Sequence, residues 1–158
     1  SDGECELWDP ATGVWSGAGT VPWGRHTTLT LLNDGRLLVA GGTSGTAPQS
    51  GCQLYAPATG TWSVTGSLNN ARQNHTTTVL PDGRVLAAGG GGIANNGSET
   101  SSCEIYDPAV GAWTQTASMI NSRTKHTAVQ LNSGKVLVAA VLNGFSSNDL
   151  ETCELYTP

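Results

Sequence analysis

The sequence predicts an all-β protein built from repeated four-stranded antiparallel sheets. Three observations lead there: one phrase recurs four times, the apolar runs are too short for helices, and glycine-centred turn signals separate the runs. The four cysteines fall at 5, 52, 103 and 153, spacings of 47, 51 and 50 residues. Each opens a copy of the same phrase: Cys-Glu-Leu-Trp-Asp-Pro at 5–10, Cys-Gln-Leu-Tyr-Ala-Pro at 52–57, Cys-Glu-Ile-Tyr-Asp-Pro at 103–108 and Cys-Glu-Leu-Tyr-Thr-Pro at 153–158. Self-similarity at a period near 50 residues marks a chain made of supersecondary units that cannot bury their apolar faces alone.

Each unit contains the same elements in the same order. The cysteine phrase is a strand, and Asp9-Pro10-Ala11-Thr12-Gly13 and its copies turn the chain, with Gly13, Gly60 and Gly111 as the permissive residue. A second strand carries a Trp seven residues after the aromatic of the phrase: Trp15 after Trp8, Trp62 after Tyr55, Trp113 after Tyr106. A His-Thr pair (His26, His75, His126) then opens a short Thr/Val/Leu run. Asn33-Asp34-Gly35, Pro81-Asp82-Gly83 and Asn132-Ser133-Gly134 supply the positive φ that a tight hairpin needs. The fourth run is Leu37–Gly42, Val85–Gly90 or Val136–Ala140. All are four to six residues long and rich in Val, Leu, Thr and aromatics, as strands are. Twisted four-stranded sheets with two apolar faces stack around an axis as propeller blades.

The Gly-Gly after a strand, the Tyr-Asp-Pro phrase, the Trp seven residues on, and Arg72-x-x-His75 with Arg123-x-x-His126 together resemble kelch repeats, including those of the galactose oxidase central domain. The resemblance covers essentially the whole chain. It implies the strand order a (His run), b (Gly-Gly run), c (Cys phrase) and d (Trp strand), with a innermost. The chain then reads c-d, a-b-c-d, a-b-c-d, a-b-c: one domain over 1–158, with units at roughly 1–19 (partial), 20–66, 67–117 and 118–158, the last without its outer strand. Three departures stand out. The third full run has Ala139-Ala140 where the glycine pair is expected. The first unit carries Trp23 where the others have Arg72 and Arg123. It also has one extra residue between His26 and Gly35, which suggests a bulge.

Propellers have roughly four to eight blades, so this chain does not close a ring alone, and two apolar blade faces stay open. Two partners fit: a second copy, giving six blades as a homodimer or other self-assembly, or the remainder of a longer chain. In a dimer the partner's 13–19 segment provides the missing outer strand, and the phrases at 5–9 and 153–157 compete for one slot, so one of them is expected displaced or frayed.

Composition excludes other classes. Seven Lys and Arg against twelve Asp and Glu leave no basic footprint for nucleic acid. No apolar run approaches the roughly 20 residues of a membrane span. The Thr, Ser and Asn content beside two Lys points to an extracellular or periplasmic protein. The cysteines sit at equivalent repeat positions, too far apart to bridge, and read as small apolar packing residues; Cys5 with Cys153 is the pair to check. The histidines repeat once per blade, whereas metal ligands must converge, so they read as structural groups bonding the loop backbone. No metal and no cofactor is expected.

Candidate ligand contacts lie on the rim formed by the b-to-c connections (43–51, 91–102, 141–150) and the d-to-a turns. They are Trp23, an off-pattern aromatic in a loop, with Asn70, Arg72, Asn95, Asn96, Asn121 and Arg123. For the periodic Arg72 and Arg123 the competing reading is a structural loop clamp. Asn74-His75-Thr76 and Asn96-Gly97-Ser98 match the glycosylation sequon. With no nucleophile–base set outside the repeat, the sequence favours a non-catalytic module that binds a glycan or protein through this rim. The alternatives are a self-assembling structural protein, or a scaffold fragment of a galactose oxidase-like copper oxidase. That family's copper site uses two Tyr, two His and a Tyr-Cys crosslink, none of which transfers residue by residue.

Overall fold

The computed structural model describes residues 3–45, 47–92, 99–139 and 152–158. Among them are fifteen strands and no helix: β1 (Glu4–Asp9), β2 (Val14–Thr20), β3 (Thr28–Leu31), β4 (Leu37–Ala40), β5 (Cys52–Ala56), β6 (Thr61–Val64), β7 (Arg72–Gln73), β8 (Thr76–Val79), β9 (Val85–Ala88), β10 (Gly91–Gly92), β11 (Cys103–Asp107), β12 (Ala112–Thr116), β13 (Thr127–Gln130), β14 (Val136–Ala139) and β15 (Glu154–Tyr156). They form antiparallel sheets in the orders β1-β2, β3-β4-β5-β6, β8-β9-β11-β12 and β13-β14-β15, the c-d, a-b-c-d, a-b-c-d, a-b-c arrangement; β7 and β10 add a short pair at the rim. The sheets do not close a ring.

Local chemistry sets each turn. Gly35, at φ +85°, bonds back to Leu32 O at 3.0 Å, while Asp34 Oδ1 accepts the Arg36 amide at 3.0 Å. Asp82 does the same for Arg84. Gly13, Gly60 and Gly111 hold φ of +70°, +66° and +67° and close the next turn onto Asp9 O, Ala56 O and Asp107 O.

The core lies between sheets. Next-facing Leu38, Ala40, Cys52 and Leu54 of the second sheet meet Val85, Ala87, Tyr106 and Trp113 of the third. Leu86, Ala88, Cys103 and Ile105 of the third meet Val136, Val138 and Tyr156 of the last. Tyr106 stacks on Trp113 at 5.1 Å between centroids, and Tyr55 on Trp62 at 5.0 Å. The glycine pairs permit this approach: a Cβ on Gly41 would sit 2.5 Å from Arg72 O, and one on Gly89 2.6 Å from Arg123 O.

The structure corrects four expectations. His26 is not the counterpart of His75 and His126: it shares the left-handed conformation of Asn74 and Lys125, with φ of 54°, 53° and 54°. Thr27 takes the histidine position, and β3 pairs with β4 in regular register without a bulge; Thr27 to Gly35 spans the same length as His75 to Gly83, so there is no extra residue. Ala139 pairs with Thr127 as Ala40 pairs with Thr28 and Ala88 with Thr76. The glycine-pair positions of the last sheet are therefore 140 and 141, outside the described residues. Finally, Trp23 does not stand at the Arg72 position: Arg25 bridges Thr43 as Gln73 pairs with Gly91, so Gly24 is the backbone counterpart of Arg72 and Trp23 precedes it by one residue. β1 pairs with β2 and β15 with β14, each along one edge.

The open faces are as bare as the strand count implies. Trp8, Trp15, Leu29 and Leu31 are exposed at one flank, and Val129 and Leu155 at the other.

Candidate functional site

Among the described residues, the d-to-a turns and the described parts of the first two b-to-c connections meet on one rim; the third connection, 141–150, lies outside the described residues. β7 pairs with β10, Arg25 bridges Thr43, and Thr100 bridges Arg123. Gly42 and Gly90 donate to Arg72 O and Arg123 O of the following unit at 2.8 and 2.7 Å. A second ring of bonds runs nearer the axis, Asn74 N to His26 O at 3.1 Å and Lys125 N to Asn74 O at 2.9 Å. The left-handed residues place one donor and one acceptor of the chain toward the neighbouring sheets.

Behind this rim sits a repeated buried ion pair. Arg72, fully buried, donates from Nη1 to Gly89 O and Ser102 O at 2.7 and 2.9 Å, and from Nη2 to Ser102 Oγ and Glu104 Oε1 at 3.0 and 2.7 Å. Glu104 also accepts the Asn69 and Asn70 amides at 2.7 and 3.0 Å. Burial pushes the Glu104 carboxyl up, but the Asn69 amide, the Arg72 guanidinium and the Asn69 side chain outweigh it and hold it below its ordinary value. The next unit repeats the arrangement: Arg123 on Thr152 O, Thr152 Oγ1 and Glu154 Oε1, with Glu154 taking the Ile120 and Asn121 amides. Arg72 and Arg123 thus face inward, with their guanidinium groups committed to the clamp.

Asn70 and Asn121 lie on these turns, with their backbone amides in the same carboxylates. Asn95 and Asn96, with the second sequon, lie outside the described residues. Asn74 of the first sequon sits in the inner ring of backbone bonds.

Trp23 is not a free rim aromatic. Gly51 is the counterpart of Ser102 and Thr152, and a Cβ there would lie 2.4 Å from the Trp23 ring. The indole therefore takes the place that guanidinium groups take in the next two units. Gln53 stands where Glu104 and Glu154 stand. Arginine, hydroxyl residue and glutamate have been exchanged together for tryptophan, glycine and glutamine. Trp23 Nε1 and Gln53 Oε1 are both buried without a partner, so this apolar version of the clamp is the less satisfied one. Gly51 and Gln53 stand at aligned positions of the repeat, whereas Trp23 precedes the Arg72 position by one residue and reaches the place of the guanidinium only through its packing on Gly51.

His75 and His126 lie between sheets. Nε2 of His75 is 3.2 Å from Thr28 Oγ1 and Nε2 of His126 is 3.0 Å from Thr76 Oγ1, so the bonds run to a hydroxyl on the preceding sheet rather than to loop backbone. Burial, with Arg72 and His126 nearby, lowers His75 to about 3, and burial beside Arg123 lowers His126 to about 4. Nδ1 of each has no partner, so among the described residues the threonine hydroxyl is the sole hydrogen-bond partner of each ring.

A copper centre of the kind the resemblance implies does not fit these residues. Tyr106 and Tyr156 bond Thr65 and Thr116 at 2.7 and 3.1 Å, and Tyr55 is buried against Trp62. Tyrosines and histidines alike are distributed one per sheet junction, and no group of three or more His, Cys, Asp or Glu able to hold a metal occurs among the described residues. Cys5, Cys52, Cys103 and Cys153 are unpaired; Cys52 and Cys103 are buried, and burial pushes both thiols up.

No protein-family model matches the chain, and no curated protein matches it by sequence. Among solved structures it is similar to a fungal alcohol oxidase of the AA5 family described in complex with copper, with a TM-score of 0.78 and 17% identity. The match covers 96% of this chain and 35% of the oxidase, so the chain spans about a third of that protein's length. At this identity the likeness is one of fold: a galactose oxidase-like all-β architecture, consistent with kelch-type blades.

Proposed function

We propose that the chain is a scaffold section of a galactose oxidase-like propeller, which holds blades and rim in register and carries no chemistry of its own. One observation supports this above others. The side chains that could act as ligands or bases, His75, His126, Tyr106 and Tyr156, are each spent on the neighbouring sheet at the same repeat position. A residue used identically at successive junctions is being used to join blades. The fold likeness to a copper alcohol oxidase supports kinship of architecture, and the oxidase activity belongs to that protein.

Copper titration followed by calorimetry, with peroxide release measured over primary alcohols, tests this reading. The expected result is no stoichiometric copper uptake and no alcohol-dependent peroxide. One tightly held copper per chain, with turnover, would overturn it.

Ligand recognition at the rim is the second reading, and the packing narrows it. A glycan or protein would be met by Asn70, Asn121 and the b-to-c connections, since Arg72 and Arg123 face inward and Trp23 fills the place of an arginine. Exchange of Asn70 and Asn121 to Ala is expected to abolish any glycan-array signal of the wild type while leaving the fold intact.

A further inference from the structure

We propose that the replacement of the arginine clamp by Trp23, Gly51 and Gln53 is a strand key: it holds the β5-β6 hairpin to the second sheet and the β11-β12 hairpin to the third. The inference concerns the two complete four-stranded sheets, and it stands whether or not the chain is a scaffold section.

The two sheets are built from nearly interchangeable strands. β5 reads Cys-Gln-Leu-Tyr-Ala and β11 Cys-Glu-Ile-Tyr-Asp, while β4 reads Leu-Leu-Val-Ala and β9 Val-Leu-Ala-Ala. The registers are the same: Cys52 lies opposite Ala40 and Tyr55 opposite Leu37, as Cys103 lies opposite Ala88 and Tyr106 opposite Val85. Tight turns fix the other pairings locally, through Gly35 N on Leu32 O, Gly60 N on Ala56 O and their copies. Only the pairing of β4 with β5, or β9 with β11, spans a long connection, of 11 and 14 residues. Pairing β4 with β11 instead would close a loop of 62 residues. Closure cost grows only with the logarithm of loop length, so length alone discriminates weakly between right and wrong hairpin.

The clamp residues do discriminate, in both directions. In its own slot β11 meets Arg72 with Ser102 Oγ at 3.0 Å and Glu104 Oε1 at 2.7 Å. β5 in that slot would offer Gly51 and Gln53 instead, leaving a fully buried guanidinium without its counter-charge and without a hydroxyl. The reverse error fails differently. β11 in the slot of β5 would put Ser102 in the place of Gly51, where a Cβ lies 2.4 Å from the Trp23 ring. It would also put Glu104 in the place of Gln53, whose buried Oε1 finds no donor. A carboxylate there would be buried and uncompensated.

The native second sheet bears a cost for this. Trp23 Nε1 and Gln53 Oε1 are buried without partners, whereas the arginine set beside it is bonded throughout. A weaker set that penalises the wrong partner is how specificity is gained when attraction alone cannot distinguish two near-copies. The last unit repeats the arginine set with Thr152 and Glu154, so the key separates the second sheet from its neighbour without marking every unit.

Disulfide trapping during refolding tests the key. The full chain carries Ala88→Cys, with Cys5→Ser and Cys153→Ser, and refolds in a glutathione buffer before peptide mapping. The introduced thiol links to Cys103 when β11 holds its slot and to Cys52 when β5 takes it. The Cys103 link is expected to dominate. Adding Gly51→Ser/Gln53→Glu gives β5 the acceptors of β11 and should raise the wrong-to-right ratio by at least roughly tenfold, one decade of discrimination. Leu54→Ala weakens the same strand without touching the key. Brought by urea to the same unfolded fraction, it should leave the ratio within about twofold of the parent. Should the double variant fail to fold, Gln53→Glu alone keeps the native shape and should still raise the ratio by at least roughly threefold. Equal ratios in the key variants and the Leu54→Ala control would overturn the proposal, and so would a parent chain that links Cys52 as often as Cys103.

Discussion

At the residue scale the Arg72–Glu104 pair decides how the rim is held. Both side chains are fully buried, so the desolvation they suffered on folding is offset by six distinct bonds to Gly89, Ser102, Asn69 and Asn70 as well as to each other. Arg72→Met strands the Glu104 carboxylate, and its cost by urea unfolding should be about 3–5 kcal/mol. Replacing Glu104 as well should recover only part of this, because the Asn69 and Asn70 amides lose their acceptor. The histidines set the acid limb of stability. With His75 held at about 3 in the folded chain, against an ordinary 6.5, the unfolded chain binds the extra proton. Its contribution is complete above 6.5 and is lost as pH falls from there toward 3. Between pH 7 and 5 the loss from His75 should be of order 1–2 kcal/mol, and His126 adds a similar fall. Glu104 and Glu154, both held low, lose their contributions only at more acidic pH, as the fall passes through the carboxylate range. A His75→Asn variant should flatten the upper part of the curve and leave the lower part unchanged.

At the scale of elements, glycine does two separate jobs, and substitution should tell them apart. Gly13 and Gly89 both have positive φ, but a Cβ on Gly13 meets nothing within 4 Å, whereas one on Gly89 meets Arg123 O at 2.6 Å. Gly13→Ala should cost about 1 kcal/mol from backbone strain alone. Gly89→Ala should add about 1–3 kcal/mol for the clash with rigid backbone, a difference that thermal unfolding of the two variants would read. The strands, their order and the turns were legible in the sequence, because runs of four to six residues rich in Val, Leu and Thr, set between turn glycines, leave little else to form. The offset of His26 was not. Two residues of one motif can slide past a fixed turn, and only the hairpin register shows that Thr27, not His26, lies beneath Gly42. The rim was legible as loops, but not as a buried clamp. Arginine and asparagine in a polar turn look the same from the sequence whether they face solvent or a glutamate two strands away. The exchange of Trp23, Gly51 and Gln53 was not read from the sequence, because Trp23 stands one residue before the Arg72 position and only its packing on Gly51 brings the three together.

At the scale of the whole molecule, stability should be graded rather than uniform. Stacked repeats contribute an intrinsic term for each unit and an interface term for each junction, and the four sheets differ in how many junctions they have. The third sheet has two, with clusters on both faces and Val85, Leu86, Ala87 and Ala88 essentially withdrawn from water. The second sheet has its cluster on one face. On the other it meets only the β1-β2 hairpin, through contacts such as Trp62 Nε1 on Ala18 O at 2.6 Å, beside an apolar cavity of about 260 Å³. The hairpin itself has one neighbour and an outward face of exposed Trp8 and Trp15. Opening free energy should therefore fall from β9 and β11 outward to β1 and β2. Native-state hydrogen exchange at sub-micromolar concentration should show the amides of Leu86 and Ile105 exchanging last, near the global limit. Those of Leu7 and Ser16 should exchange first, and β13 should fall between. Equal protection of all four sheets in a dilute monomer would contradict the junction count, because it would mean that the uncovered flanks cost the end sheets nothing.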